Sequence, residues 1–330
     1  MAAPTEFELI DRFFRRAENS ARNARGVVLG IGDDAALLAP TQGSQLAASV
    51  DMLVAGRHFF ADADPEALGH KTLAVNLSDM AAMGATPRWA LLAGALPDAD
   101  PQWLSAFARG FFALAAAHGV DLVGGDTTRG PLNLCVTILG EVPAGKALLR
   151  GGARGGDSIW VSGALGDASL ALEHHAGRLA LSADEAAACQ NALLWPAPRV
   201  ALGIALRGIA SAAIDVSDGL VGDLGHVLEA SRVGAVLELA AIPRSKALDR
   251  QLASSAHDIA LQCLLAGGDD YELCFTAAPS NDPRVAALAA ELGLLLHRVG
   301  TIVAEPGLII CDSSGHPLAP LPQAYDHFAA

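Results

Sequence analysis

The choice between a parallel βαβ unit and an antiparallel pair of strands depends on one stretch, VVLGIGDDAALLAPTQGSQLAASVD, residues 27–51. It contains two apolar runs, residues 27–31 and 46–50, and the connection between them is short and includes Pro40 and Gly43. Such a connection cannot hold the crossover helix that two parallel strands require. We therefore predict that the two runs pair as antiparallel strands.

The same stretch also carries the best argument for a dinucleotide-binding oxidoreductase. GIGDDA, residues 30–35, matches the fingerprint G-x-G-x-x-A, and Asp51 stands about twenty residues further on, where a ribose-binding acid belongs. Two features weaken this alternative: the crossover helix is missing, and Asp33 and Asp34 would repel a bare pyrophosphate. A second near match, the P-loop-like GEVPAGKA at residues 140–147, has Ala147 where a hydroxyl should hold Mg²⁺. Both matches are weaker than the interpretation developed below.

Hydrophobic periodicity outlines the rest of the chain. The predicted helices span residues 6–16, 65–83, 103–118, 168–175, 183–194 and 198–207, and one more follows DVSDG, residues 215–219, as far as Ser231. The predicted strands span residues 89–96, 134–142 and 158–162, and a further strand leads into DVSDG. The glycine-rich segment RGGARGGDS, residues 150–158, marks a boundary. The prediction is a mixed α/β (α+β) fold with two domains, residues 1–143 and 144–330.

The composition describes an acidic protein with aliphatic cores. Of the 330 residues 52% are hydrophobic, and 36 Asp and Glu against 22 Lys and Arg give a formal net charge of −14. Such a surface repels nucleic acid and anionic membranes, and no basic stripe offsets it. The five cysteines form no C-x-x-C pair, so we expect a reduced, cytoplasmic protein. The acidic N-terminus predicts no signal peptide, and every apolar run is interrupted before it reaches bilayer length.

Acidic motifs recur at the ends of apolar segments, nearly all beside glycine or other small residues. Any one of them is typical of a helix cap or a turn. Together they indicate a ligand, because small residues let the backbone approach it closely and clustered carboxylates need cations between them. Oxygen ligands without a Cys or His pattern favour Mg²⁺, Mn²⁺ or Ca²⁺, and Mg²⁺ commonly binds carboxylates together with substrate phosphates. The residues are Asp33, Asp34, Asp51, Asp79, Asp126, Asp215, Asp218, Asp269 and Asp270.

Basic residues in or near these motifs are candidates for direct phosphate contacts. Taken singly, each is typical of a solvated surface charge. They are His58, Lys71, Arg129, Arg150 and Arg154.

The motifs, in their order along the chain, resemble those of the thiamine-monophosphate kinase family. The matching segments are GIGDDAALL, SVDMLVAGRHF, KTLAVNLSDMAAMGATP, GGDTTRGP, AIDVSDGLVGDLGH, GGDDYELCF and the terminal YDHF. They run from Gly30 to Phe328 and so cover nearly the whole chain. The family belongs to the superfamily of aminoimidazole ribonucleotide synthetase and selenophosphate synthetase.

The resemblance implies a kinase that transfers a phosphoryl group directly from ATP to thiamine monophosphate, with several Mg²⁺ ions, and gives ADP and thiamine diphosphate. It implies a homodimer in which the sheets of the N-terminal domains join in a β-barrel. The N-terminal domain is expected to bind ATP and metal and to dimerise. The C-terminal α/β domain is expected to contribute nucleotide and substrate contacts. No nucleic acid or membrane partner is implied.

The resemblance also assigns roles to residues, and it implies no covalent nucleophile. The implied metal ligands are Asp34, Asp51, Asp79, Asp126, Asp215 and Asp218. The implied nucleotide-binding positions are Gly125, Asp126, Arg150 and Ser217. The implied substrate-binding positions are His58, Asp269 and Tyr325.

Two positions depart from the family pattern. Relatives often have Thr in place of Val50, which offers only its carbonyl oxygen. Relatives often have Glu in place of Asp269, which keeps a carboxylate that is one methylene shorter. Neither change argues against the activity.

Two alternatives to this assignment stay open at the level of sequence, besides the oxidoreductase. One is another enzyme of the same superfamily that acts on a different phosphate acceptor. The other is a metal- or nucleotide-binding protein without turnover. Release of ADP when thiamine monophosphate is added would separate the second from a kinase.

Overall fold

The computed structural model describes residues 6–15 and 26–323. Their contacts divide the chain into two compact units. The N-terminal unit comprises Met1–Met80 and Ala85–Gly145, and the C-terminal unit comprises Ala81–Gly84 and Lys146–Ala330. Both units contain strands and helices, so the predicted mixed α/β class is confirmed.

A four-stranded sheet is the framework of the N-terminal unit. The elements are α1 (Glu6–Leu9), continued by a π-helix (Ile10–Phe14), β1 (Val27–Leu29), β2 (Leu37–Leu38), β3 (Ser44–Val54), α2 (Pro65–Ala82), β4 (Thr86–Leu96), α3 (Pro101–His118), β5 (Asp121–Arg129) and β6 (Asn133–Pro143). The strand order is β3-β6-β4-β5. Strand β6 is antiparallel to both of its neighbours, and β4 is parallel to β5.

Helices α2 and α3 coincide closely with two of the predicted helices and touch through their backbones. A Cβ on Gly69 would lie 2.0 Å from the carbonyl oxygen of Phe107, and one on Gly110 would lie 1.8 Å from that of Glu66. Only glycine permits an approach this close. This crossing therefore depends on a glycine in each helix.

The predicted pairing of the first two strands is wrong. Strand β1 pairs with the two-residue strand β2, with Val27 opposite Leu38. Strand β3 instead pairs along its whole length with β6, from Ser44 opposite Pro143 to Val54 opposite Asn133. A two-residue strand is too short to show alternation, and a partner so distant in sequence leaves no local signal. Strand β5, which contains most of GGDTTRG, is also absent from the predictions because glycine and polar residues are poor strand formers.

Neither nucleotide-binding fingerprint has the structure that it requires. The segment after GIGDDA leads into β2 rather than into a helix, and β3 is antiparallel to its partner. A dinucleotide-binding βαβ unit is therefore excluded at this position. Likewise, GEVPAGKA begins inside β6, and no helix starts after Lys146 in the described chain before α4 (Asp167–His175).

The C-terminal unit contains a six-stranded sheet. Besides α4, its elements are β7 (Ser158–Ser162), α5 (Ala183–Leu194), α6 (Val200–Ala205), β8 (Ala210–Val216), α7 (Leu220–Ser231), β9 (Gly234–Glu238), α8 (Lys246–Leu252), α9 (His257–Ala266), β10 (Glu272–Ala277), α10 (Asp282–Leu292), β11 (Leu296–Val303) and β12 (Gly307–Cys311). The strand order is β12-β9-β11-β7-β10-β8, and every neighbouring pair is antiparallel except β12 with β9. Within residues 6–15 and 26–323, no helix is long and apolar enough to cross a membrane.

Candidate active site

A cavity of about 960 Å³ lies in the N-terminal unit. Three parts of the unit line it: the N-terminal helix, the loop between β1 and β2, and the sheet. Strand β6 contributes the alternate residues Cys135, Thr137 and Leu139, and β4 and β5 contribute consecutive ones, 91–93 and 122–127. Much of the lining is apolar. Its polar and charged lining residues are Asp11, Arg15, Asp33, Asp34, Asp126, Thr127, Cys135 and Thr137.

The cavity brings together three of the predicted site residues, Asp34, Gly125 and Asp126. Both carboxylate residues are exposed. The Asp33 carboxylate accepts a hydrogen bond from the N–H of Asp34 at 2.9 Å, so it helps to shape the loop. Two segments that are distant in sequence therefore present carboxylates to one space.

Strand β5 can occupy its place only because residue 125 is glycine. Gly125 lies opposite Leu92 of β4 and has a φ of +151°. A Cβ at this position would lie 1.8 Å from the Leu92 carbonyl oxygen. The glycine thus sets the path of the strand that carries Asp126.

Asp51 and Asp79 lie at the contact of β3 with α2. The Ser49 hydroxyl donates a hydrogen bond to the Asp79 carboxylate, and the Asp51 N–H donates to Asn76 Oδ1 at 3.2 Å. Burial raises the pKa of the Cys135 thiol, and the nearby Asp51 carboxylate raises it further. Cys135 lines the cavity, and Asp51 is not itself a lining residue.

The basic residues of the N-terminal unit differ in exposure. His58 is half-buried, and its Nδ1 accepts a hydrogen bond from the Val54 N–H at 3.0 Å, so a proton on the neutral ring lies on Nε2. Lys71 is only 2% exposed within α2, so the interpretation as a solvated surface charge is wrong for this residue. Arg129 is exposed, and its Nε donates to the Pro97 carbonyl at 3.2 Å.

In the C-terminal unit the DVSDG and GGDDYE motifs lie side by side. Strands β8 and β10 are antiparallel neighbours, and Val216 stands opposite Glu272. Beyond the strands, the Asp269 N–H donates to the Ser217 carbonyl at 2.9 Å. The sheet register therefore brings three predicted site residues, Ser217, Asp218 and Asp269, into one pair of touching loops, with Asp215 buried at the end of β8.

Asp223 supports the DVSDG loop, and sequence reasoning did not assign it a role. One of its carboxylate oxygens, Oδ2, accepts hydrogen bonds from the N–H groups of Ser217 and Asp218, both at 3.0 Å. Burial raises the pKa of Asp223 to about 7; the two N–H donors oppose this shift, and the carboxylates of Asp215 and Asp218 add to it. The available signal was an acid in the first turn of α7, which resembles an ordinary helix-start residue.

Two acidic residues close to Asp269 in sequence, Asp270 and Glu272, form hydrogen bonds or an ion pair with other parts of the unit. Asp270 accepts hydrogen bonds from the Gly166 N–H at 2.9 and 3.0 Å, and desolvation by burial raises its pKa well above the usual range. Glu272 forms an ion pair with Arg199, whose Nε lies 2.6 Å from the carboxylate, and accepts a hydrogen bond from Ser162. These contacts anchor the loop to the rest of the unit.

The other predicted residues are more dispersed. Arg150 is exposed, and its carbonyl accepts a hydrogen bond from the Ser231 hydroxyl at 3.4 Å. The N–H of Arg154 donates to Asp157 at 3.0 Å. Tyr325 lies outside the described residues. Within the described chain, no three Asp, Glu, His or Cys side chains converge closely enough to hold a metal ion by themselves.

Two family models match the chain, one in each half. The N-terminal domain of AIR synthase related protein matches residues 32–142, and the C-terminal domain of that family matches residues 154–312. The thiamine-monophosphate kinase of Escherichia coli (strain K12) is 45% identical over 325 residues, which are 98% of each chain. The chain belongs to the thiamine-monophosphate kinase family.

Solved structures of this family share the fold. The crystal structure of thiamine-monophosphate kinase from Stenotrophomonas maltophilia is 47% identical, with a TM-score of 0.85 over 95% of this chain and 98% of that one. A structure of AaThiL complexed with AMPPCP and TMP is 28% identical, with a TM-score of 0.76 over 98% and 97% of the two chains. The similarity to the thiamine-monophosphate kinase family thus includes both units.

Proposed function

We propose that this chain transfers the γ-phosphoryl group of ATP to the phosphate of thiamine monophosphate, giving ADP and thiamine diphosphate. The observation that carries the proposal is the identity of 45% over 98% of a thiamine-monophosphate kinase. That match covers 325 of the 330 residues of the chain. A solved relative holding AMPPCP and TMP supports the same pair of ligand sites.

The donor set in the N-terminal cavity fits Mg²⁺. Asp34 and Asp126 offer exposed carboxylates beside Gly125, and hard oxygen donors are what this ion prefers. Mg²⁺ usually takes only one or two carboxylates and completes its shell with water and phosphate, so three converging side chains are not required. When bound, the ions neutralise charge on the phosphate oxygens. The residues proposed to hold them are Asp34, Asp51, Asp79, Asp126, Asp215 and Asp218.

The remaining residues bind and orient the two substrates. Gly125, which offers only its backbone, is assigned to the nucleotide, and Ser217 and Arg150 offer further donors for phosphate oxygens. His58, Asp269 and Tyr325 are assigned to thiamine monophosphate. We propose that the N-terminal domain, residues 1–143, binds ATP and metal and that residues 144–330 add nucleotide and substrate contacts.

Transfer is direct and in line, and no residue becomes phosphorylated. The acceptor phosphate is already anionic near neutral pH, so the chain need not remove a proton from it. The protein's contribution is to hold the acceptor oxygen and the γ-phosphorus in reacting geometry.

We place the enzyme in the cytoplasm. All five of its cysteine thiols are free, which is the state that reducing compartments maintain. The net charge of −14 disfavours nucleic acid and anionic membrane surfaces as partners.

The activity is tested with purified chain, ATP and Mg²⁺. Thiamine monophosphate should give thiamine diphosphate and an equal amount of ADP, and unphosphorylated thiamine should give neither. Chromatography of the thiamine compounds together with a coupled ADP assay measures both products. Equal or better turnover of thiamine would refute the assignment, and turnover only with another phosphate compound would favour a different enzyme of the superfamily.

An apolar face of β3 supports the proposed homodimer. Leu46, Val50 and Met52 are 52%, 58% and 54% exposed, and alternation places them on one side of this edge strand. Val50 stands opposite Thr137 and Met52 opposite Cys135, so this face continues the face that lines the cavity. A second copy of the chain would bury it, as in the β-barrel that the family resemblance implies.

Replacing both Val50 and Met52 with Glu should convert the dimer into monomers, because burying two carboxylates in an apolar contact is strongly unfavourable. Light scattering should give a mass of about twice 33.7 kDa for the natural chain and about 33.7 kDa for the variant. Ile309→Glu, at a 46% exposed position on β12, is the matched control and should stay dimeric. A natural chain with the mass of one copy would rule out the dimer.

A further inference from the structure

The GGDDY segment, residues 267–271, has a backbone conformation that its side chains disfavour. Asp269 has a φ of 70° and Tyr271 a φ of 51°, both in the left-handed region. Of the described residues, the other non-glycine with positive φ is Arg232, at the end of α7, where this conformation is common. A bulky residue such as tyrosine adopts it only when surrounding contacts impose it, and such strain concentrates at functional sites.

Those contacts come from the neighbouring DVSDG loop. The Asp269 N–H donates to the Ser217 carbonyl at 2.9 Å, and the Tyr271 N–H donates to the Val216 carbonyl at 2.8 Å. A Cβ on Gly268 would lie 2.5 Å from the Ser217 carbonyl oxygen, so the two loops touch through their backbones. The backbone of Asp269 is therefore fixed relative to Ser217.

The Tyr271 side chain acts on the same residue. Its hydroxyl donates a hydrogen bond to Asp269 Oδ1 at 2.9 Å. The tyrosine is 8% exposed, so the surrounding protein restricts its ring, whereas Asp269 is only half-buried. A hydrogen bond from a fixed donor to a carboxylate is short and directional, and it limits the rotation of the aspartate side chain. The left-handed backbone conformation of Tyr271 directs its side chain toward Asp269, two residues earlier in the chain, so that the hydroxyl reaches the carboxylate.

We propose that Tyr271 is a positioning residue that aims the Asp269 carboxylate at the acceptor substrate. This role rests on the proposed function, which makes Asp269 a contact of thiamine monophosphate. Tyr271 does not touch the substrate; it reduces the number of orientations that Asp269 samples before the substrate binds. Preorganisation of this kind improves binding because fewer side-chain orientations are lost on association.

Tyr271→Phe tests the role because it removes one oxygen and keeps the buried ring. The KM for thiamine monophosphate should rise by about ten- to 150-fold, the range expected for a lost hydrogen bond to a charged group. The KM for ATP should change by less than about twofold, and the melting temperature should fall only slightly, because the ring still packs. Ser254→Ala, which removes another hydroxyl donor of the same unit, should change neither KM.

A double-mutant cycle with Asp269→Ala separates positioning from packing. If Tyr271 acts through Asp269, the Phe substitution should have little further effect on thiamine monophosphate binding once Asp269 is Ala. Calorimetry with thiamine monophosphate gives this comparison without turnover, and thermal unfolding checks each variant. Additive losses, equal rises in both KM values, or an unchanged Tyr271→Phe enzyme would overturn the positioning role alone. A natural chain that neither binds nor phosphorylates thiamine monophosphate would overturn the proposed function and this role with it.

Discussion

Replacing Asp126 with Asn is expected to lower kcat/KM by about 10²–10³-fold, the range found when one group that stabilises a developing charge is removed. Asp126 lines the cavity together with Asp34, and its carboxylate is exposed rather than engaged in the core. Asparagine has nearly the same shape but no charge, so it should fold normally and bind Mg²⁺ poorly. Steady-state kinetics at several Mg²⁺ concentrations measure the loss, and higher Mg²⁺ should restore part of the activity.

Glu66→Gln is the matched control for Asp126→Asn. Glu66 is a carboxylate of the same unit, but it pairs with Arg109 on the surface, at 2.8 Å, and does not line the cavity. An exposed ion pair contributes little to stability, so this variant should keep its activity and its melting temperature. Near-normal activity of Asp126→Asn at low Mg²⁺ would show that this carboxylate is not a required ligand. Unfolding of that variant would instead show that Asp126 has a structural role.

Long segments rich in apolar residues could be predicted from the sequence, and strand partners could not. The helix predicted over residues 65–83 and the strand over 134–142 match α2 and β6 to within a few residues. Helix α2 is recognisable by its length and its many apolar residues, and β6 by the alternation of its buried residues. The partner of β3 depends on burial of a whole sheet face, a tertiary effect that no local pattern records. For that reason both strands at residues 27–31 and 46–50 were found but were joined wrongly.

Some residues of the candidate site could likewise be predicted from the sequence, and others could not. GIGDDAALL and GGDTTRGP were recognisable because they recur in order with other acidic motifs beside small residues, and the structure brings Asp34 and Asp126 to one cavity. Asp223 and Tyr271 lie within matching segments, but an acid early in a helix and an aromatic before a strand are ordinary features of sequences and indicate no particular role. Their roles depend on hydrogen-bond partners and on a left-handed φ, which only coordinates reveal. Lys71 was placed on the surface for the converse reason, because a lysine is rarely buried.

Gly125→Ala is expected to be the most damaging single methyl addition near the cavity. Two costs combine: the added Cβ would lie 1.8 Å from the Leu92 carbonyl oxygen, and alanine disfavours the φ of +151° at this position. Overpacking and backbone strain each cost about 1–3 kcal/mol, so together they should destabilise the chain by roughly 2–6 kcal/mol.

A decrease in the free energy of unfolding of roughly 2–6 kcal/mol should be measurable by thermal unfolding, and nucleotide binding should weaken as well. Unfolding should begin well below the melting temperature of the natural chain, and ATP affinity should fall because β5 moves away from β4 and carries Asp126 with it. Gly94→Ala is the matched control, because Gly94 lies in β4 and its Cβ would meet Leu134 at an ordinary 3.6 Å. Gly94→Ala should keep both its melting temperature and its ATP affinity. A Gly125→Ala variant as stable as Gly94→Ala would contradict the steric argument, since the strand would then have relaxed without cost.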